Sequence, residues 1–257
     1  MQVSSSMIAS GAIQTSHFAS NAVAPDADRV DGYHASQTPS AYTIPVSDFS
    51  GKLSIGWIPD AVRNRGFVVF TSSSTWTVPA GVTQILIIAV GAGGGGGGAR
   101  ATGDGTNMAV ASAAGGKAGL VDFTVASVSP GSTLTIYVGS GGSGGSGSTA
   151  SSGGEGGHSS VVRGITVLAH AYGGPGGAGS SASAGQIVVV SSGFAGSAQV
   201  GGNGEPCLGP GGQSGWNSSG TYAVGYGSGG GGAHAASTSS SQQSGGNGGR
   251  GIVVIIY

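Results

Sequence analysis

The stretch TWTVPAGVTQILIIAVGAGGGGGG, Thr75 to Gly98, holds both ingredients from which this chain is built. Thr75 to Val78 is rich in β-formers, Pro79-Ala80-Gly81 is a turn, and Val82 to Val90 is apolar on both faces, as a central strand buried on both sides must be. The run Gly93 to Gly98 then presents no side chain at all. Working outward, the same alternation recurs. Phe67 to Thr71, Gly119 to Val128, Leu134 to Val138, Val161 to Arg163, Ile165 to Ala169, Ile187 to Val190 and Ile252 to Tyr257 read as strands. Glycine runs over Gly139–Gly157, Gly173–Gly179, Gly201–Gly215, Gly225–Gly232 and Gly245–Gly251 separate them. The closing IVVIIY is expected to be pinned into a sheet, because six such residues left exposed promote aggregation.

Glycine is the large compositional anomaly: 57 of 257 residues, of which six precede position 90 and 51 follow from Gly91 onward. Composition therefore divides the chain near Val90. Collagen is excluded, since there is no Gly-X-Y period and only nine prolines. A flexible linker is the simplest reading of glycine runs, but linkers do not alternate with good strands or end in one. The alternative is ordered packing of polyproline-II-like glycine helices, with three residues per turn and no internal hydrogen bonds. Bare backbones can approach closely and pair between helices. Ordering a residue costs roughly 1–2 kcal/mol, with glycine at the costly end, and a backbone hydrogen bond returns about 1 kcal/mol. Such packing cannot sustain itself, so the β-strands must frame it and supply the hydrophobic stability. The expected fold class is all-β: a β-sandwich framing packed polyproline-II-like helices (residues 66–257) on an irregular β stem (residues 1–65).

Only 7% of residues are charged and the formal net charge is -1. No basic stripe exists to hold a phosphate backbone, which argues against nucleic-acid binding. Cys207 is the only cysteine, so no intrachain disulfide forms. The start MQVSSSMIASGAIQ lacks the features of a secretory signal, and the longest apolar stretch, Ile85 to Val90, is too short for a helical span, so no membrane insertion is expected. Residues 1 to about 25 carry isolated Ile8, Ile13, Phe18 and Val23, too sparse for a core. From 26 to 65, turn signals alternate with single apolar residues. Tyr33, Tyr42, Ile44, Phe49, Leu53, Trp57 and Ile58 are expected to be buried between chains, in an oligomer closed by symmetry.

Two segments resemble bacteriophage tail-fibre proteins. ADRVDGYHASQTPSAYTIPVSDFSGKLSIGWIP, Ala27 to Pro59, resembles a module of phage fibre stems. The bracket formed by TWTVPAGVTQILIIAVGAGGGGGG, by Ser129-Pro130-Gly131 through Gly142, and by GGRGIVVIIY resembles the glycine-rich C-terminal domain of phage tail proteins. The resemblance implies a homotrimeric fibre tip of the virion, made in the host cytoplasm and joined to other tail-fibre proteins. It would bind a host cell-surface receptor, an outer-membrane protein or a glycan. A structural fibre or virion decoration component without receptor contact is the alternative.

Candidate chemistry is thin. Gly141 to Gly145 matches G-x-S-x-G formally, but no helix pattern follows as a nucleophile elbow requires. Gly93–Gly98 is followed by Ala99-Arg100, so it is no phosphate loop. His34, His158, His170 and His234 lack ligand spacing, and Asp104, Glu155 and Glu205 are lone carboxylates in glycine loops, whereas acid/base work on glycans needs a close pair. No catalytic residue, metal site or cofactor is therefore expected, and the chain reads as a non-enzyme. What remains are glycine-poor inserts: Asp104–Ala114, Ser180–Gln186, Glu205–Leu208, Trp216–Tyr226 and Ala235–Ser244. Loops on a rigid scaffold are the usual bearers of recognition. WNSSGTYAVGY concentrates rigid aromatics beside adaptable polar groups, a mixture typical of binding loops. The candidate receptor-binding residues are Trp216, Asn217, Tyr222 and Tyr226, with Asp104 and Asn107. The aromatics suit either a receptor or the plugging of the domain's own interior.

Overall fold

The computed structural model describes residues 29–30, 33–41, 43–58, 65–190 and 202–257. The chain divides into two compact units, Met1–Arg63 and Asn64–Tyr257. The described residues are all-β, and their one helical element is a 3-10 turn at Ile55–Trp57.

The first unit holds three short strands, β1 (Arg29–Val30), β2 (Tyr33–Ser36) and β3 (Thr43–Pro45), with β1–β2 antiparallel and β2–β3 parallel. Asp48 Oδ1 accepts from the amides of Ser50 and Lys52, which closes the turn at Gly51. Phe49, Leu53 and Ile58 are exposed in the single chain, while Ile44 and Trp57 are half-buried. Tyr42 and the side chains of Tyr33 and His34 lie outside the described residues, as do the apolar positions before residue 26.

The second unit is built on two four-stranded sheets with a shared core. One has the order β4 (Phe67–Phe70), β17 (Ile252–Ile256), β6 (Gln84–Val90), β9 (Val121–Ser127), all neighbours antiparallel. The other runs β12 (Thr166–Ala171), β11 (Ser159–Arg163), β10 (Thr133–Tyr137), β5 (Ser74–Thr77), also antiparallel. Ile85, Ile87, Val253 and Ile255 of the first sheet meet Leu134, Ile136 and Val161 of the second in one buried cluster, sealed by Trp76 and Tyr257. The closing segment Ile252–Ile256 lies between β4 and β6, paired on both sides.

Two three-stranded sheets follow, β13 (Ser180–Ser183), β7 (Ala99–Thr102), β16 (Ser240–Gln243) and β14 (Ile187–Val189), β8 (Ala109–Ser112), β15 (His234–Ser237). Their shared core is almost all alanine: Ala99, Ala101, Ala109, Ala111, Ala113, Ala182, Ala233 and Ala235. Four of these strands occupy stretches read above as inserts or parts of them. The difference has a physical cause. Alanine and serine carry weak β-propensity, and here sheets with methyl-sized side chains pack against one another.

The glycine runs join the two pairs of sheets. Gly91–Gly98 leaves β6 and enters β7, residues 113–120 lead from β8 to β9, residues 172–179 from β12 to β13, and residues 244–251 from β16 to β17. The whole of Gly91–Gly98 is buried, and its hydrogen bonds repeat every third residue. The amides of Gly91, Gly94 and Gly97 donate to Leu120, Lys117 and Ala114; those of Ala92, Gly95 and Gly98 donate to Gly157, Gly154 and Ser151; those of Gly93 and Gly96 donate to Gly249 and Gly246. The carbonyls of Ala92, Gly95 and Gly98 accept from Gly174, Gly177 and Ser180, those of Gly93 and Gly96 from Gly142 and Gly145, and those of Gly94 and Gly97 from Gly230 and Ala233. One run thus bonds to six neighbours, and its buried backbone polar groups from Ala92 to Gly98 all have partners. The spacing leaves no room for side chains: a Cβ on Gly95 would collide with the carbonyl of Ser143, and one on Gly96 with that of Gly231.

Candidate functional site

The insert Trp216–Tyr226 is part loop and part scaffold. Its second half extends the glycine packing: the amides of Gly220 and Ala223 donate to the carbonyls of Ser244 and Asn247, and Thr221 exchanges backbone bonds with Gln213 and Gly231. Backbone pairing on these sides turns alternate side chains outward. Tyr222 is 72% exposed and Val224 82%. Tyr226 pairs backbone-to-backbone with Leu208, and both side chains are exposed. The aromatics therefore do not fill the interior, which the buried backbones and alanines already occupy.

Trp216 is 54% exposed and lies over His234, ring centroids 4.7 Å apart. His234 is fully buried on β15. Its Nδ1 accepts from the amide of Asn217, and its own amide donates to Ser218. Asn217 has a left-handed φ of 42°, a conformation its short polar side chain tolerates. Its Oδ1 accepts from the amide of Ala236 and from the hydroxyl of Ser241, so this residue clamps the loop onto β15 and β16, one strand from each of the small sheets. That bonding makes Asn217 a positioning residue for Trp216.

Asp104 and Asn107 form a self-contained turn between β7 and β8. Asp104 Oδ1 accepts from the amides of Thr106 and Asn107, and its Oδ2 accepts from Asn107 Nδ2. These bonds to the charged form hold the Asp104 carboxyl down at about 2. The amides of Gly103 and Gly105 donate to Ser239 and Thr238, in the turn that carries the chain from β15 in one small sheet to β16 in the other. Trp216 and Asn217 thus contact β15 and β16, and the turn of Asp104 and Asn107 contacts the residues between these two strands, at the small-sheet end of the unit.

Tyr226 belongs to a different feature. With Ala223, Val224, Gly225, Gly248, Gly249, Arg250 and Thr71 it lines a cleft of about 360 Å³. A second cleft of about 290 Å³, lined by Ser72, Ser73 and residues 138–141, shares Thr71 and Arg250. The Arg250 guanidinium reaches the carbonyl of Thr71 and stands between the two clefts. Neither Arg250 nor the clefts came from reading the sequence. The available signal was a single cation within an otherwise uncharged glycine run.

Glu205 Oε2 accepts from the amide of Ala118, across from the glycine runs. Burial pushes the Cys207 thiol up, with the Glu205 charge adding to it. His158 and His170 lie 5.2 Å apart by ring centroids, with Tyr172 edge-on to both. Among the described residues no group of three or more His, Cys, Asp or Glu could hold a metal ion.

These features define a class: in the described residues, an all-β protein in which buried glycine backbone joins an aliphatic core between two large sheets to an alanine core between two small ones. The model of the glycine-rich domain family matches residues 69–225, and the chain belongs to that family. The match begins within β4, takes in β5 to β14, most of the glycine runs and the aromatic insert as far as Gly225, and stops before Tyr226 and β15–β17. No curated protein matches the chain.

Proposed function

We propose that the chain is the host-recognition tip of a bacteriophage tail fibre, an adhesin that binds a host surface protein or glycan. In this reading the two large sheets are a β-sandwich, and the glycine runs are polyproline-II-like helices, for which the period-three bonding of Gly91–Gly98 is the support. The first unit is the fibre stem, whose exposed Phe49, Leu53 and Ile58 are covered in a homotrimer of the virion. Binding, not turnover, is the activity.

One observation carries the proposal: exposed aromatic side chains held on a fully hydrogen-bonded backbone scaffold. Recognition energy concentrates in a few aromatic and arginine anchors, and anchors on a rigid support lose little entropy on binding. β4 and β17, the first and last strands of this unit, lie in one large sheet, while Trp216 borders the pair of small sheets. The test uses the fluorescent full-length protein titrated onto whole cells of a panel of bacterial strains. Saturable binding to a subset of strains is expected, and Trp216→Ala or Tyr226→Ala should weaken it by about 2 kcal/mol, roughly 30-fold, at unchanged Tm. Protease treatment and periodate oxidation of the cells separate a protein receptor from a glycan. Absence of selective binding across the panel would favour the structural or decoration role instead.

A further inference from the structure

The sheet β4–β17–β6–β9 is apolar on both faces, and only one face meets the core. On the other, cross-strand registers align two rows of four: Phe67–Ile256–Leu86–Val125 and Val69–Val254–Ile88–Phe123. None of the eight is polar. Phe67, Phe123 and Val125 are 71%, 67% and 62% exposed; Val69, Ile256 and the adjoining Val121 are also exposed, and Leu86, Ile88 and Val254 are half-buried. The outer face of the other four-stranded sheet shows what a solvated face looks like in this protein: Thr75, Thr77, Thr133, Thr135, Tyr137 and Ser160 dominate it.

We propose that this apolar face packs against the same face in other copies of this chain. The exposed members present roughly 500 Å² of apolar surface, at the upper end of what a soluble monomer leaves uncovered. Two such faces together bury about 1,000 Å², the size at which specific association begins. The two rows carry no charge and no side-chain hydrogen-bonding group, with Gln84 and Ser127 continuing the face at its margin, so a polar partner seated on the rows would be desolvated without compensation. An identical face has matching chemistry and is present at equal concentration. The inference needs no host receptor and stands apart from the adhesin reading.

The experiment places a pyrene at one exposed position of the full-length chain, with Cys207 replaced by serine. Phe123→Cys labels the proposed interface, and Ile165→Cys, fully exposed at the β11–β12 turn, is the control. Excimer emission is expected from position 123 and not from position 165, with loss of the excimer when unlabelled protein is exchanged in. Phe67→Glu with Val125→Glu should lower the sedimenting mass or loosen the assembly while Tm measured on the dissociated chain stays unchanged. An oligomer joined elsewhere would sediment normally yet give no excimer at 123, and that result overturns the proposal. So does a monomer whose Tm falls sharply in the glutamate variant, which would assign the face to another segment of the same chain.

Discussion

The large sheets and the glycine runs reach burial by opposite routes. Between the sheets, Ile85, Ile87, Leu134, Ile136, Val253 and Ile255 remove hydrocarbon from water, so stability scales with side-chain volume. In the runs there is no side chain to bury. Close approach of backbones leaves every amide and carbonyl from Ala92 to Gly98 bonded to a neighbour, and stability depends on the absence of volume. The alanine core between the small sheets is an intermediate case, with one methyl group per position. The same protein therefore has regions where adding a methyl group and removing one carry opposite consequences.

The largest expected effect follows directly. Gly96→Ala adds one methyl against the Gly231 carbonyl of a buried neighbour, and should destabilise by more than about 3 kcal/mol or prevent folding. Ile136→Val removes one methylene from a fully buried site and should cost about 1 kcal/mol. Chemical denaturation of both variants checks the ordering; equal effects would break the distinction. Ala111→Val, in the alanine core, should fall between them at about 1–3 kcal/mol through overpacking. A neutral result there would mean the small sheets separate easily. The smallest effect concerns the rim. The carboxyl of Asp104 sits near 2, below its usual 3.8, so its stabilisation of the β7–β8 turn is present above about pH 4 and fades as pH falls toward 2. Carbon-detected titration of Asp104, read with the Asn107 amide shift, should show one midpoint near 2 and no change above pH 5.

The hydrophobic half of this fold was legible in the sequence. Phe67–Phe70, Gln84–Val90, Val121–Ser127, Thr133–Tyr137 and Ile252–Ile256 are strands within one or two residues of where β-branched and aromatic runs put them. The alanine and serine strands were not. Ala99–Thr102, Ala109–Ser112 and Ser240–Gln243 have no hydrophobic alternation of the usual strength, and their pairing comes from close sheet packing. Parallel partners such as β7 and β13 lie about 80 residues apart in sequence, beyond any local pattern. At the rim, Trp216, Tyr222 and Tyr226 are exposed and do not plug the interior, an outcome that composition alone left open. The bonds of Asn217 to Ala236 and Ser241 depend on β15 and β16, strands of alanine, serine and glutamine that no hydrophobic alternation marks.

The account rests on the glycine runs being an ordered, bonded interior. Hydrogen exchange of the amides of Gly93 to Gly98 tests that most directly. Each of these amides donates to a carbonyl of another run and the segment is buried throughout, so their protection should match that of β6 and β17 and be lost only with global unfolding. Exchange at the rate of a free glycine linker, while β6 and β17 stay protected, would contradict it.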